Sequence, residues 1–123
     1  RVAIAGTPFR LSNQAAQTLG LALHELATNA AKYGAFSITE GRLNVSWKVQ
    51  PERLDIVWRE IVPLLRKRTR ATGFGTEVIE RMLGGALAAK IDRVFHRNGL
   101  EYRFSIPLDR VAREQNEADG TGA

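Results

Sequence analysis

Glu25, Asn29 and Lys32 stand at i, i+4 and i+7 within the run HELATNAAKYG, residues 24–34. On a helix these three side chains form one ridge, with Tyr33 beside it. A carboxyl group and an amide oxygen one turn apart suit a hard cation such as Mg²⁺, which takes oxygen ligands and keeps part of its water shell. Lys32 adds positive charge suited to phosphate oxygens. The plain alternative is a solvated helix face with a favourable i, i+4 pattern, and the ridge alone does not choose between them. A second stretch bears on the choice. Gly73-Phe74-Gly75-Thr76 stands where a helix would open, and unpaired N–H groups at such a start attract anions while the missing side chains let a phosphate approach. It is neither a Walker A loop, since no Gly-Lys-Ser/Thr follows, nor a dinucleotide fingerprint, since the third glycine and a βαβ setting are lacking.

The elements that must position these groups are legible from periodicity. Residues 1–5 read as a short strand, broken by Gly6-Thr7-Pro8, after which Ser12 or Asn13 can cap a helix. From Gln14 to about Tyr33, Leu19, Leu23, Leu26 and Ala30 recur at helical spacing, and Gly34 is placed as a C-cap. Residues 42–49 and 53–58 alternate as the arms of an antiparallel hairpin around Gln50-Pro51-Glu52, with Trp47 and Trp58 anchoring opposite arms. From Glu60 to Thr72 the pattern dissolves into a loop carrying Arg66, Lys67, Arg68 and Arg70. Residues 76–83 read as a helix, with Val78, Ile79 and Met82 facing inward and Gly84-Gly85 ending it. Two further strands, 88–95 and 100–106, flank the turn signal His96-Arg97-Asn98-Gly99, where His96 is expected to be exposed. The sum is an α+β domain, a two-layer α/β sandwich with a mixed, mainly antiparallel sheet and helices on one face. The packed domain is expected over residues 1–108, with 109–123 a polar, disordered tail.

Composition sets outer bounds. The 123 residues are 44% hydrophobic and 25% charged, which is ordinary for a single domain with one core. A net charge of +5 and a pI near 10.2 favour an anionic partner. Nucleic acid fits poorly, because no basic surface interleaved with aromatic residues is visible. The absence of cysteine excludes disulfides and thiolate metal sites. No apolar run approaches the roughly 20 residues needed to cross a bilayer, and the start lacks the layout of a signal peptide, so a cytoplasmic domain without membrane contact is expected. Because the chain opens directly in strand-like sequence, it is expected to be a segment of a longer protein.

In order, ALHELATNAAKYGA, the triplet Trp58-Arg59-Glu60, GFG at 73–75 followed by VIERML, and the closing LEYRFSIPL resemble the ATP-binding catalytic domain of the HWE subfamily of sensor histidine kinases. His24, Trp58 and Glu60 match the three residues that give the subfamily its name, and the resemblance covers about residues 1–108. It implies the Bergerat fold of the gyrase-type ATPases. By the same resemblance Asn29 would hold the Mg²⁺ that bridges the ATP phosphates, and Glu25 would orient metal-bound water or the incoming histidine. Lys32 and Tyr33 would contact phosphate or ribose, and Glu60 would accept the adenine amino group. Gly73, Phe74, Gly75 and Thr76 would border the phosphates, with the N–H groups of Thr76 and Glu77 directed at them. Residues 61–72 would form the lid. His24 would not be the phosphoacceptor, which the family keeps in a separate domain; it is expected to order the N-box, its own helical motif, or the lid. Trp58 is expected in packing rather than stacking.

The implied activity is transfer of the γ-phosphoryl group of ATP to a histidine on a dimerisation domain of the same chain or a sister subunit, with a response regulator downstream. This segment is then expected to be monomeric or weakly associating. One departure stands out. Where the family usually continues after the triplet with two glycines, this chain has Ile61-Val62-Pro63, whose bulk would crowd a purine. The alternative reading is therefore a degenerate pseudokinase domain with weak or no ATP binding, serving as a protein-interaction module.

Overall fold

The computed structural model describes residues 2–63 and 73–112, the first four residues of the second block by backbone alone. The elements run β1 (Val2–Ala5), α1 (Asn13–Tyr33), a 3-10 turn (Ala35–Ser37), β2 (Arg42–Val49), β3 (Arg53–Ile61), α2 (Gly73–Leu87), β4 (Lys90–His96), β5 (Gly99–Pro107) and α3 (Leu108–Val111). Among the described residues five strands form one sheet in the order β1-β2-β3-β5-β4, parallel between β1 and β2 and antiparallel elsewhere. Helices α1 and α2 lie side by side on one face, which is the two-layer α/β sandwich expected from the sequence.

Alternation along β3 decides the two faces. Leu54, Ile56, Trp58 and Glu60 are buried on the helix side, while Arg53, Asp55, Val57, Arg59 and Ile61 between them are only half-buried. Leu43 on β2 and Tyr102, Phe104 and Ile106 on β5 continue the inner face. Against it α1 sets Ala15, Leu19, Ala22 and Leu26, and α2 sets Ile79, Leu83 and Leu87. Both tryptophans belong to this side: Trp58 pairs with Val45, and Trp47 with Ile56. Trp47 also staples the chain leaving β1, since its indole donates to the Thr7 carbonyl at 2.6 Å and a Cβ on Gly6 would lie 2.3 Å from its ring.

Several boundaries differ from the sequence expectation. Strand β3 does not end at 58: Arg59, Glu60 and Ile61 pair with Glu101, Leu100 and Gly99, and the Val62 N–H still reaches the Asn98 carbonyl at 2.8 Å. The loop thus starts after Ile61, because pairing with β5 outweighs the loss of a local pattern. Helix α2 begins at Gly73 and passes through Gly84 and Gly85 to Leu87, since burial of Leu83 and Leu87 holds it across the glycines. Ile79 faces inward and Met82 partly so, but Val78 is exposed. His96 is no exposed turn residue: it closes β4, half-buried, 2.9 Å from Glu101. Beyond residue 108 the chain is packed as far as Ala112, with Val111 fully buried and Leu11 bridged to Ala112. The basic residues Arg66, Lys67, Arg68 and Arg70 and the segment 113–123 lie outside the described residues.

Candidate nucleotide site

The polar ridge is a property of α1. Ser12 caps the helix, its hydroxyl accepting from the Ala15 N–H at 3.1 Å. Ala15, Leu19, Ala22, Leu26 and Ala30 then form the buried stripe. Successive helical residues turn by about 100°, which puts Glu25 and Asn29 on the shoulder of that stripe, half-buried. His24, Lys32 and Tyr33 are exposed. The His24 carbonyl takes the Thr28 hydroxyl at 2.9 Å, so His24 joins the local helix network through its backbone.

Asn29 and Glu25 thus offer oxygen donors at the rim rather than in the core. Among the described residues no group of three or more His, Cys, Asp or Glu side chains is arranged to hold a metal. A cation held here would take one or two protein oxygens, from Asn29 and Glu25, and its other ligands would have to come from outside the protein.

Glu60 stands near the end of β3. It is 3% exposed, yet both of its side-chain oxygens are occupied: Oε1 accepts from the Ala35 N–H at 3.1 Å and Oε2 from the Trp58 indole at 2.9 Å. Ala35 follows α1 directly, so Glu60 joins the central strand to the end of the helix that carries Asn29 and Lys32. Two glycines make this possible. A Cβ on Gly34 would lie 2.0 Å from Oε1, and one on Gly99, whose φ is +145°, would lie 1.8 Å from the Glu60 carbonyl oxygen.

The described part of α2 opens with Gly73, Phe74, Gly75 and Thr76. Of the sequence-derived candidates, Glu25, Asn29, Lys32 and Tyr33 share one helix and Glu60 is tied to its end; Gly73 to Thr76 head the neighbouring helix. Sequence reasoning missed the Trp58 indole contact and the Ala35 N–H. The i, i+2 spacing of Trp58 and Glu60 on one strand face was the available signal for the first. Nothing local signals the second.

No protein-family model matches the chain. Among curated proteins it is similar to blue-light-activated histidine kinase 1 of Erythrobacter litoralis, 37% identical over 111 residues, spanning 88% of this chain and 31% of that protein. It is also similar to the blue-light-activated histidine kinases of Rhizobium johnstonii (33% over 104 residues, 83% and 30%) and Brucella anthropi (38% over 112 residues, 88% and 23%). The chain therefore spans less than a third of the length of these relatives. Among solved structures the fold resembles the Erythrobacter litoralis EL346 blue-light activated histidine kinase, with a TM-score of 0.73 and 17% identity over 89% of this chain and 36% of that one. The nucleotide-free catalytic domain of the histidine kinase ThkA aligns at a TM-score of 0.65, with 14% identity over 86% of this chain and 76% of that one. With its buried Trp58–Glu60 pair, N-box helix and five-stranded sandwich, the chain belongs to the histidine kinase family as a catalytic domain, in the HWE subfamily that His24, Trp58 and Glu60 mark.

Proposed function

We propose that this domain binds Mg-ATP and presents the γ-phosphoryl group to a histidine on a separate helical domain of its parent protein. The observation that carries the reading is the bond between Glu60 and the Ala35 N–H, which ties the acidic group at the end of β3 to the helix bearing Asn29. Asn29 stands one turn before Tyr33, the last residue of α1, and Ala35 comes two residues after that end. In this reading a ribose and the start of a phosphate chain run from Glu60 towards Asn29.

In this reading Glu60 accepts the adenine amino group with the lone pairs its two protein donors leave over. Asn29 offers an oxygen to Mg²⁺, Glu25 orients water or the incoming imidazole, and Lys32 and Tyr33 meet phosphate or ribose. The Gly73 to Gly75 stretch, with the N–H groups of Thr76 and Glu77, borders the phosphates and adds positive potential at the head of α2. Mg²⁺ supplies charge neutralisation of the phosphates, and phosphoryl transfer asks the protein mainly for such positioning and charge. A response regulator is the proposed downstream partner; one solved relative, ThkA, is in complex with its response regulator TrrA.

One observation favours the second reading, a weakened or nucleotide-free domain. Ile61 and Val62 are half-buried directly after Glu60, and the Val62 N–H is bound to Asn98. Calorimetric titration with ATP, with and without Mg²⁺, separates the two. A metal-dependent complex that Asn29→Ala abolishes supports the kinase reading. No heat at millimolar ATP supports the degenerate one. If ATP binds, replacing Ile61 and Val62 with glycine is expected to tighten it.

A further inference from the structure

The Glu60 side chain is clamped from three sides. The Trp58 indole holds Oε2 at 2.9 Å, the Ala35 N–H holds Oε1 at 3.1 Å, and the bare Cα of Gly34 leaves room that a Cβ 2.0 Å from Oε1 would take away. Trp58 and Glu60 are 4% and 3% exposed and share one face of β3. Packing alone would be met by phenylalanine at position 58; a directed N–H requires tryptophan. With both oxygens held by donors, the group offers only acceptor lone pairs to anything that approaches it.

We propose that Trp58 is a positioning residue for base recognition, fixing the Glu60 oxygens so that they accept an exocyclic amino group on a purine and repel a carbonyl oxygen at the same place. Gly34 serves the same end by leaving the space in which Oε1 sits. This rests on the reading of Glu60 as the group that meets the base. The clamp makes selection a matter of geometry: a carboxyl group free to swing could turn aside from a 6-oxo purine, whereas this one stays where the repulsion is felt. A site built around fixed polar groups discriminates by leaving them badly paired with the wrong partner.

The test compares ATP with inosine triphosphate, which differs by bearing oxygen in place of the 6-amino group, on the folded chain in the presence of Mg²⁺. The wild-type domain is expected to prefer ATP, and Glu60→Gln to lose that preference. Trp58→Phe is expected to weaken ATP by about five- to tenfold while changing inosine triphosphate by less than about twofold. Trp47→Phe, which removes an indole hydrogen bond to Thr7 instead, is expected to leave the ratio unchanged. A general loss of stability would lower both affinities together, so the ratio is the deciding readout. If Trp58→Phe melts below the assay temperature, Gly34→Ala displaces the same oxygen from the other side and is expected to shift the ratio alike. An unchanged ratio in the folded Trp58→Phe, or in Gly34→Ala where Trp58→Phe melts, alongside an altered Glu60→Gln, overturns the positioning role alone. An unchanged Glu60→Gln, or a wild-type chain that binds neither nucleotide, overturns the reading of Glu60 and this proposal with it.

Discussion

Glu101 is not among the candidate site residues, yet it is 4% exposed on the face of the sheet opposite the helices. It is buried there by its own partners. Arg103 donates to Oε2, Arg59 reaches Oε1 at 3.3 Å, and His96 lies 2.9 Å from Oε1. The hydrogen bond from Arg103 holds its carboxyl below the ordinary value of 4.5, against the opposing effect of burial and with further help from His96. A lowered carboxyl value stabilises the fold above the unfolded-state value and loses that contribution as pH falls through the folded-state one. Glu101→Gln is therefore expected to cost about 1–2 kcal/mol near pH 7. The gap from wild type should close as pH falls below about 4.5, followed by urea unfolding across that range. A gap unchanged down to pH 3 would mean that the charge contributes nothing. None of this network was legible in the sequence, where His96 read as a turn residue. Arg59, His96 and Glu101 come from three different strands, and only the register joins them. Asn29, Glu25 and Lys32 were legible because one helix carries all three.

At the scale of elements, α2 departs most from expectation. Gly84 and Gly85 read as a stop signal, but the helix runs on and ends with Ala88 in the left-handed region at φ 54°. The Ala89 N–H then returns to the Leu83 carbonyl at 3.2 Å. Glycine is thus absent where the backbone favours it and present where the helix does not. A Cβ on Gly84 or Gly85 would meet nothing within 4 Å. Replacing either with alanine is expected to raise stability by about 0.5–1 kcal/mol. Ala88→Gly should add a similar amount, about 0.5–1 kcal/mol, by relieving the left-handed alanine. Thermal melts of the three single variants and the triple test this; a triple variant melting no higher than wild type would contradict the assigned helix end. The long helix α1 was read correctly because its cap, apolar stripe and terminal glycine agree with one another. In β3, by contrast, the last three residues lack a local strand signal and are held by neighbours on both sides, Leu43 and Leu100 flanking Glu60.

Over the whole molecule, α3 closes the fold by joining parts distant in sequence. The Leu108 N–H reaches the Glu52 carbonyl at 3.0 Å, the Ser12 N–H reaches the Val111 carbonyl at 2.8 Å, and Val111 is fully buried. Val111→Ala is expected to cost about 1.5–2.5 kcal/mol from lost burial and the cavity left behind. A chain ended after Pro107 should lose more, because the Ser12 and Leu108 contacts go too, and denaturant midpoints would order the two. Equal midpoints for all three chains would show that the packed domain ends near 108 after all. The amino-acid sequence by itself determined the helix with its polar ridge, the hairpins and the layered class, since each rests on periodicity and capping within a short window. Tertiary structure alone decided that Glu60 is clamped by Trp58 and Ala35, that Glu101 is buried among Arg59, His96 and Arg103, and that Val111 is core. Each of those depends on strands meeting in a register that no single segment encodes, and on burial that exists only once the two layers have closed.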